Sequence, residues 1–392
     1  MAYHAKAKPK AHHVPATLVK KQPSMPNFTR INRRAASFSL VILGLTCLDF
    51  GCSKKQEPAA EQTPGSGSAK GQPAAHEQVT LQGSGASFPA PLYSRWFREF
   101  SNKNPDIRVN YQATGSGAGI KAFVAGQTDF GASDAAMTDD EIKQANGNVV
   151  LLPVTAGHIV LAYNLEGVKD LKLSREVYAG IFLGDVKKWN DPKIAKTNPG
   201  AHLPNQDITP VNRSDGSGTT FVFTQHLSAI SEKWKTGPGP GKSVNFPAKN
   251  AVGGAKNDGV AALIQRTPGA IGYIEYMFAA TSNQPTALLE NKNGKYIAPD
   301  LKAAAASLAG VELPPDLRAW APDPAGDDAY PIVTYTWILV KKKYEDKAKG
   351  DALKKLLKWC LIDGQTLAES LHYIPLPSSV ASKVTTAVDT IE

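Results

Sequence analysis

Cysteine is scarce and poorly placed for covalent architecture. Only Cys47, Cys52 and Cys360 occur in 392 residues, too few for a disulfide framework and at separations that match no zinc spacing. Cys360, within Leu356-Leu357-Lys358-Trp359-Cys360-Leu361, is expected to be a buried structural thiol. Histidine is equally sparse beyond residue 78, where only His158, His202, His226 and His372 remain. None has metal-ligand spacing, so neither a metal nor another cofactor is expected. No Gly-x-Ser-x-Gly elbow is present, which leaves a serine hydrolase or phosphatase without its constellation; the chain is expected not to be an enzyme. No internal repeat occurs, and no apolar run is long enough to span a bilayer.

Net charge is nearly absent from the bulk of the chain, although the whole carries +9. Residues 1–51 hold eight basic residues (Lys6, Lys8, Lys10, Lys20, Lys21, Arg30, Arg33, Arg34) against the single acid Asp49. Of 44 basic and 35 acidic residues overall, 36 and 34 therefore remain beyond position 51, a net +2. No basic domain or basic stripe with interleaved aromatics survives, so no nucleic-acid partner is expected.

The apolar content of 42% is ordinary for a globular protein. Arg30-Ile31-Asn32-Arg33-Arg34 precedes the apolar run Phe38–Leu45, which suits the core of an export signal. The run ends in Gly51-Cys52-Ser53, which is similar to the lipoprotein signal in which a small residue precedes a cysteine that becomes the lipidated N-terminus. Asp49 and Phe50 depart from that signal, and ordinary cleavage is the alternative. Residues 1–51 thus read as a leader whose start lies at Met1 or at Met25. Residues 52–78 contain almost no large apolar side chain and read as a flexible tether.

From residue 79 onward, short apolar runs alternate with helical patterns, which predicts an α/β architecture. Val79–Gln82 begins a strand, and Leu92, Trp96 and Phe100 give Pro91–Phe100 one apolar helical face. Arg108–Gln112 alternates as a strand, and Thr138 with Glu141 has the spacing of a capping box. Val149–Pro153, His158–Tyr163, Ala270–Tyr273 and Ile332–Val340 are predicted strands, and Asp351–Leu361 a helix.

Three segments combine glycine with hydroxyl residues: Gly83-Ser84-Gly85-Ala86-Ser87-Phe88-Pro89, Thr114-Gly115-Ser116-Gly117-Ala118-Gly119 and Arg213-Ser214-Asp215-Gly216-Ser217-Gly218-Thr219-Thr220. Each lies where a strand or loop gives way to a predicted helix, the last of them Thr219–Leu227. The first amides of a helix lack internal partners and carry its positive dipole end, so they bind anions. Taken singly, each segment is equally a turn with a serine cap; three together point to an anion. Arg213 adds a planar fork suited to an oxyanion. Asp134, in Asp129-Phe130-Gly131-Ala132-Ser133-Asp134, repels an anion unless the ligand brings a proton. Phosphate near neutral pH has one to donate and sulfate has none, so the carboxylate reads as a filter, with a solvated or capping aspartate as the plainer alternative. Gly237-Pro238-Gly239-Pro240-Gly241-Lys242-Ser243 superficially suggests a nucleotide loop, but Thr236 takes the first glycine position and two prolines remove amides, so a plain loop is expected.

Whole phrases, namely Gly85-Ala86-Ser87-Phe88-Pro89-Ala90-Pro91, Asp129–Asp134, Asp215-Gly216-Ser217-Gly218-Thr219 and Pro268-Gly269-Ala270-Ile271-Gly272-Tyr273, carry a resemblance that runs over roughly residues 79–380. The chain resembles the phosphate-binding proteins of high-affinity phosphate ABC importers. That resemblance implies a two-lobed periplasmic-binding-protein fold, type II-like, with a ligand cleft between lobes joined by crossing strands. Lobe 1 is expected over residues 79–155 and 326–392, lobe 2 over 156–325. It implies that phosphate meets Ser87, the Phe88 amide, Ser116, Asp134, Arg213, Ser217, Gly218 and Thr219; Ser87 stands where the family often has threonine, which keeps the hydroxyl. The implied partners are inorganic phosphate, the permease subunits of an importer and, through Cys52, a membrane, with the protein itself a monomer. A receptor for another tetrahedral oxyanion such as sulfate is the alternative.

Overall fold

The computed structural model describes residues 78–392. The leader, the tether and Cys52 lie outside the described residues. Eleven strands are present among those described: β1 (Val79–Gly85), β2 (Ile107–Ala113), β3 (Phe130–Ser133), β4 (Val150–Tyr163), β5 (Lys172–Leu173), β6 (Thr209–Arg213), β7 (Val252–Gly254), β8 (Ala270–Glu275), β9 (Leu288–Glu290), β10 (Tyr296–Ile297) and β11 (Val333–Val340). Eight of them form one sheet in the order β2-β1-β3-β11-β4-β8-β6-β7, and β10-β9-β5 form a small second sheet.

The long sheet has two halves with the same logic. In one, β1 pairs parallel with β2 and β3; in the other, β6 pairs parallel with β7 and β8. Parallel neighbours require crossover connections, which here are helices covering the sheet faces. The halves meet through β11 and β4, which run antiparallel to each other and to their outer neighbours. Residues 150–158 of β4 pair with β11, whereas Ile159–Tyr163 pair with β8. One strand thus leaves the first lobe and enters the second, giving a two-lobed α/β fold.

β4 corrects one sequence expectation. Val149–Pro153 and His158–Tyr163 read as separate strands, but they are the ends of a single strand of 14 residues. The break in its ladder is local: Trp337 faces Pro153 and Thr336 faces Thr155, so Val154 bulges out. A bulge is where a strand accommodates proline, which has no amide to pair.

The other elements follow the expected patterns. The helix Ala90–Lys103 buries Leu92, Tyr93, Trp96, Phe97 and Phe100 on one face, each large side chain contributing about 1.5–3 kcal/mol of transfer free energy. Thr138 and Glu141 form the capping box at the helix Asp139–Gln144, with both reciprocal bonds made. The helix Lys347–Leu361 buries Leu353, Leu356, Leu357 and Cys360; burial pushes the Cys360 thiol well above its usual range. Gly237–Ser243 is irregular chain following the helix Glu232–Thr236. No helix among the described residues is long and apolar enough to cross a membrane.

Candidate functional site

The three glycine-hydroxyl segments leave the ends of β1, β2 and β6 and each opens a helix, as read from the sequence. After β1, Ser87 is buried, and the ring of Phe88 lies so close to the crossing strand that a Cβ on Gly157 would come within 2.7 Å of it. The Phe88 carbonyl accepts a hydrogen bond from the Tyr373 hydroxyl at 2.6 Å. After β2, Ser116 is the first residue of the helix Ser116–Val124. After β6, Ser217 caps the helix Gly218–Ile230, its Oγ accepting from the Thr220 amide at 3.0 Å. Ser217 is therefore a helix cap whose hydroxyl proton remains free to donate elsewhere.

Segments from the two lobes are in direct contact. The Gly117 amide donates to the Gly216 carbonyl at 2.8 Å. Gly218 sits flush against the first lobe: an added Cβ would stand 2.7 Å from Ser116 Oγ and 2.8 Å from the Asp134 amide nitrogen. Any larger residue there would wedge the lobes apart. The structure thus gathers Ser116, Asp134, Gly218, Thr219, Arg213 and Ser87 around one buried locus, with Ser217 and Phe88 adjoining it in the chain.

Asp134 follows β3 and is 1% exposed. Its Oδ1 accepts from Thr336 Oγ1 at 2.9 Å, and its carbonyl accepts from Thr334 Oγ1 at 3.3 Å. Burial pushes its carboxyl up to about 7, against the Thr336 hydrogen bond, the Arg213 charge and the hydroxyls of Ser116 and Thr219, all of which favour the charged form. Its burial excludes the plainer reading as a solvated aspartate.

Arg213 ends β6 with its side chain buried. Its charge is paired within the second lobe. Nε and Nη2 pair with the two oxygens of Asp215 at 2.8 and 2.5 Å, leaving Nη1 to reach Thr219 Oγ1 at 3.4 Å. Although burial raises the Asp215 carboxyl, the Arg213 pairing and the Lys256 amide outweigh it and hold the group below the usual carboxylate range. The Tyr273 hydroxyl accepts from the Arg213 amide at 3.0 Å and bonds Thr220 Oγ1 at 2.8 Å, fixing the strand end to the following helix.

Sequence reading missed two participants. Thr336, on β11, looks like any strand residue, and only the antiparallel pairing of β11 with β3 and β4 brings it to Asp134. Asn257, near the start of the helix Lys256–Arg266, is completely buried and bonds both Ser87 and Thr219. The available signal is a fourth glycine-rich strand-to-helix junction, Gly253-Gly254-Ala255-Lys256-Asn257, which differs from the other three in carrying no hydroxyl. Among the described residues, no group of three or more His, Cys, Asp or Glu side chains is placed to hold a metal ion.

The chain as a whole is similar to known proteins. Residues 60–363 match the model of a PBP superfamily domain. The chain is 36% identical to the phosphate-binding protein PstS of Xylella fastidiosa over 89% of its own length and 96% of that protein's. It is 40% identical to the phosphate-binding protein PstS of Pasteurella multocida over 78% of this chain and 88% of that protein. Its fold is similar to that of a phosphate-binding protein from Stenotrophomonas maltophilia, with TM-score 0.66 at 20% identity over 79% of this chain and 94% of the other. With identity at that level over most of both chains, the chain belongs to the PstS family of phosphate-binding proteins within the PBP superfamily.

Proposed function

We propose that the protein binds inorganic phosphate outside the cytoplasm and delivers it to an ABC phosphate importer, without chemistry of its own. The observation that carries this reading is Asp134, a buried carboxyl with a pKa near 7 set among donors. A ligand that satisfies such a site offers several oxygen acceptors and one proton, and phosphate does so at neutral pH. Sulfate leaves the carboxylate facing a bare oxygen, at a cost of about 1–3 kcal/mol for the unsatisfied acceptor before charge repulsion is added. The phosphate contacts are Ser87, the Phe88 amide, Ser116, Asp134, Arg213, Ser217, Gly218 and Thr219. Residues 79–155 and 326–392 form lobe 1 and residues 156–325 lobe 2. Equilibrium titration of the protein with phosphate, sulfate and a phosphate ester tests the function: tight binding of phosphate alone supports it, sulfate bound as well as phosphate rejects it, and turnover of the ester makes the protein an enzyme.

The permease subunits of the importer recognise the closed form, whose two lobes together offer a surface that an open form lacks. The protein acts as a monomer held at the periplasmic or outer face of a membrane by lipid on Cys52, the reading supported by the apolar run before Gly51-Cys52. Mass analysis of the mature protein is expected to find a lipidated N-terminus at Cys52 and residues 1–51 removed. An unmodified terminus elsewhere rejects the anchor and leaves the receptor function standing.

A further inference from the structure

Asn257 Oδ1 accepts from the Glu275 amide at 3.0 Å. That bond fixes which way the side-chain amide faces, so Nδ2 points to Ser87 Oγ at 3.1 Å and to Thr219 Oγ1 at 3.4 Å. The backbone amide of Asn257 donates to the same Ser87 oxygen at 3.2 Å. A hydroxyl has two lone pairs and a single proton. Ser87 Oγ thus has both lone pairs occupied by Asn257. Thr219 Oγ1 has its own occupied by Asn257 Nδ2 and by Arg213 Nη1, at 3.4 Å each. Each hydroxyl is left only its proton to offer, and that of Thr219 is also within reach of the Asp134 carboxyl.

We propose that Asn257 is a positioning residue that sets the hydrogen-bond polarity of the site, making Ser87 and Thr219 obligate donors to a bound oxyanion. Hydroxyls are otherwise ambivalent, and an ambivalent hydroxyl discriminates poorly between a protonated and an unprotonated oxygen. With both committed to donating, Asp134 is the acceptor that a ligand proton must find, so Asn257 sharpens selection of a singly or doubly protonated tetrahedral anion. The Ser87 bonds also join one lobe to the other, since Ser87 follows β1 whereas Asn257 belongs to the second lobe beside β7 and β8. The same residue therefore slows opening once the anion is in place. This inference rests on the phosphate-site reading given above.

The test is a double-mutant cycle on the full protein with inorganic phosphate, read as dissociation constant and dissociation rate. Asn257→Ala is expected to weaken phosphate about tenfold or more, with most of the change in the dissociation rate. In a Ser87→Ala background the same substitution is expected to cost less than about threefold, because the group through which it acts is gone. Asn257→Asp, whose carboxylate accepts from both hydroxyls and turns them away from the anion, is expected to weaken phosphate more than Asn257→Ala does. Asn257→Ser, a second variant in case alanine destabilises the fold by stranding the Glu275 amide, is expected to lie between wild type and alanine. Equal losses in the two backgrounds, or an aspartate variant that binds no worse than alanine, overturn the proposal. Arg213→Ala separates the two ideas: if it too leaves phosphate binding unchanged, the site reading has failed, whereas if it abolishes binding while Asn257 variants behave as wild type, only the polarity inference has failed.

Discussion

The two lobes bring opposite chemistry to the same locus. The first supplies Ser87, Ser116 and Asp134, two hydroxyls and an acid whose buried carboxyl sits near its titration point. The second supplies Arg213, the capped helix start at Ser217, Gly218 and Thr219, and a fixed carboxylate, Asp215, that holds the guanidinium. The division separates two tasks. On the proposed reading, attraction of an anion resides in the second lobe, where charge and helix-end amides lie together, and discrimination between anions in the first, where the carboxyl of raised pKa lies. It also explains how a buried arginine is tolerated. Unpaired, it would carry a large desolvation cost, and Asp215 offsets that cost while leaving Nη1 directed at the site.

Removing the second lobe's contribution is expected to produce the largest effect. Arg213→Ala deletes the charge and leaves Asp215 beside the incoming anion. Loss of a desolvated charged partner costs about 2–5 kcal/mol, or roughly 30- to several-thousand-fold in affinity. Isothermal titration with phosphate measures it. The pairing adds a sharper expectation: Arg213→Ala with Asp215→Ala binds better than Arg213→Ala alone, because the stranded carboxylate is gone too. A loss below about threefold in the single variant places the anion elsewhere.

Changing the first lobe's contribution is expected to alter selectivity before affinity. Asp134→Asn replaces a pure acceptor with a group that also donates, so sulfate gains and the phosphate-to-sulfate ratio falls at least roughly tenfold. The wild-type protein should show the same trend with pH. Its carboxyl is raised to about 7, so above that value it is charged and rejects a bare oxygen. Below it the carboxyl carries a proton and donates to one, and sulfate affinity rises as pH falls. Competition calorimetry on either side of pH 7 checks both; a ratio indifferent to the substitution and to pH reduces Asp134 to a structural role.

Much of this division was legible in the sequence because its carriers are local. A helix start needs only a few contiguous residues, so Gly85–Pro89, Gly115–Gly119 and Ser214–Thr220 could be found as junctions without knowing how they meet. The capping box at Thr138 and the buried face of Leu92, Trp96 and Phe100 were readable on the same ground. What escaped depends on contacts distant in sequence. Thr336 reaches Asp134 across 202 residues and Asn257 reaches Ser87 across 170; nothing in the neighbours of Thr336 marks it, and the glycines before Asn257 mark a junction but not its partners. The continuity of β4 escaped for a different reason: Pro153 reads as a strand end, and only the bulge opposite Trp337 shows how the ladder passes it.

The smallest expected effect concerns a contact that joins the lobes away from the anion. Lys242 Nζ lies 2.6 and 2.7 Å from the two carboxylate oxygens of Glu141, the former in the irregular segment of the second lobe, the latter in a first-lobe helix. The Lys242 carbonyl also accepts from the Ser217 amide at 2.8 Å, so the ion pair is tied to the donor loop. Glu141 is a poor choice for substitution because its carboxylate completes the Thr138 capping box. Lys242→Met keeps the apolar stem and removes only the charge. Exposed pairs contribute about 0.2–1 kcal/mol, and this one, only partly exposed, belongs near the upper end. The variant should therefore release phosphate about two- to fivefold faster, with little change in association, because the pair ties one lobe to the other. Stopped-flow measurements at low and high salt test the assignment: screening should shrink the difference between wild type and variant. A difference that persists undiminished at high salt points to lost packing by the lysine stem, and an unchanged dissociation rate means that the closed form is held by the groups around the anion and by other contacts between the lobes, such as those of Asn257, Gly117 and Arg318.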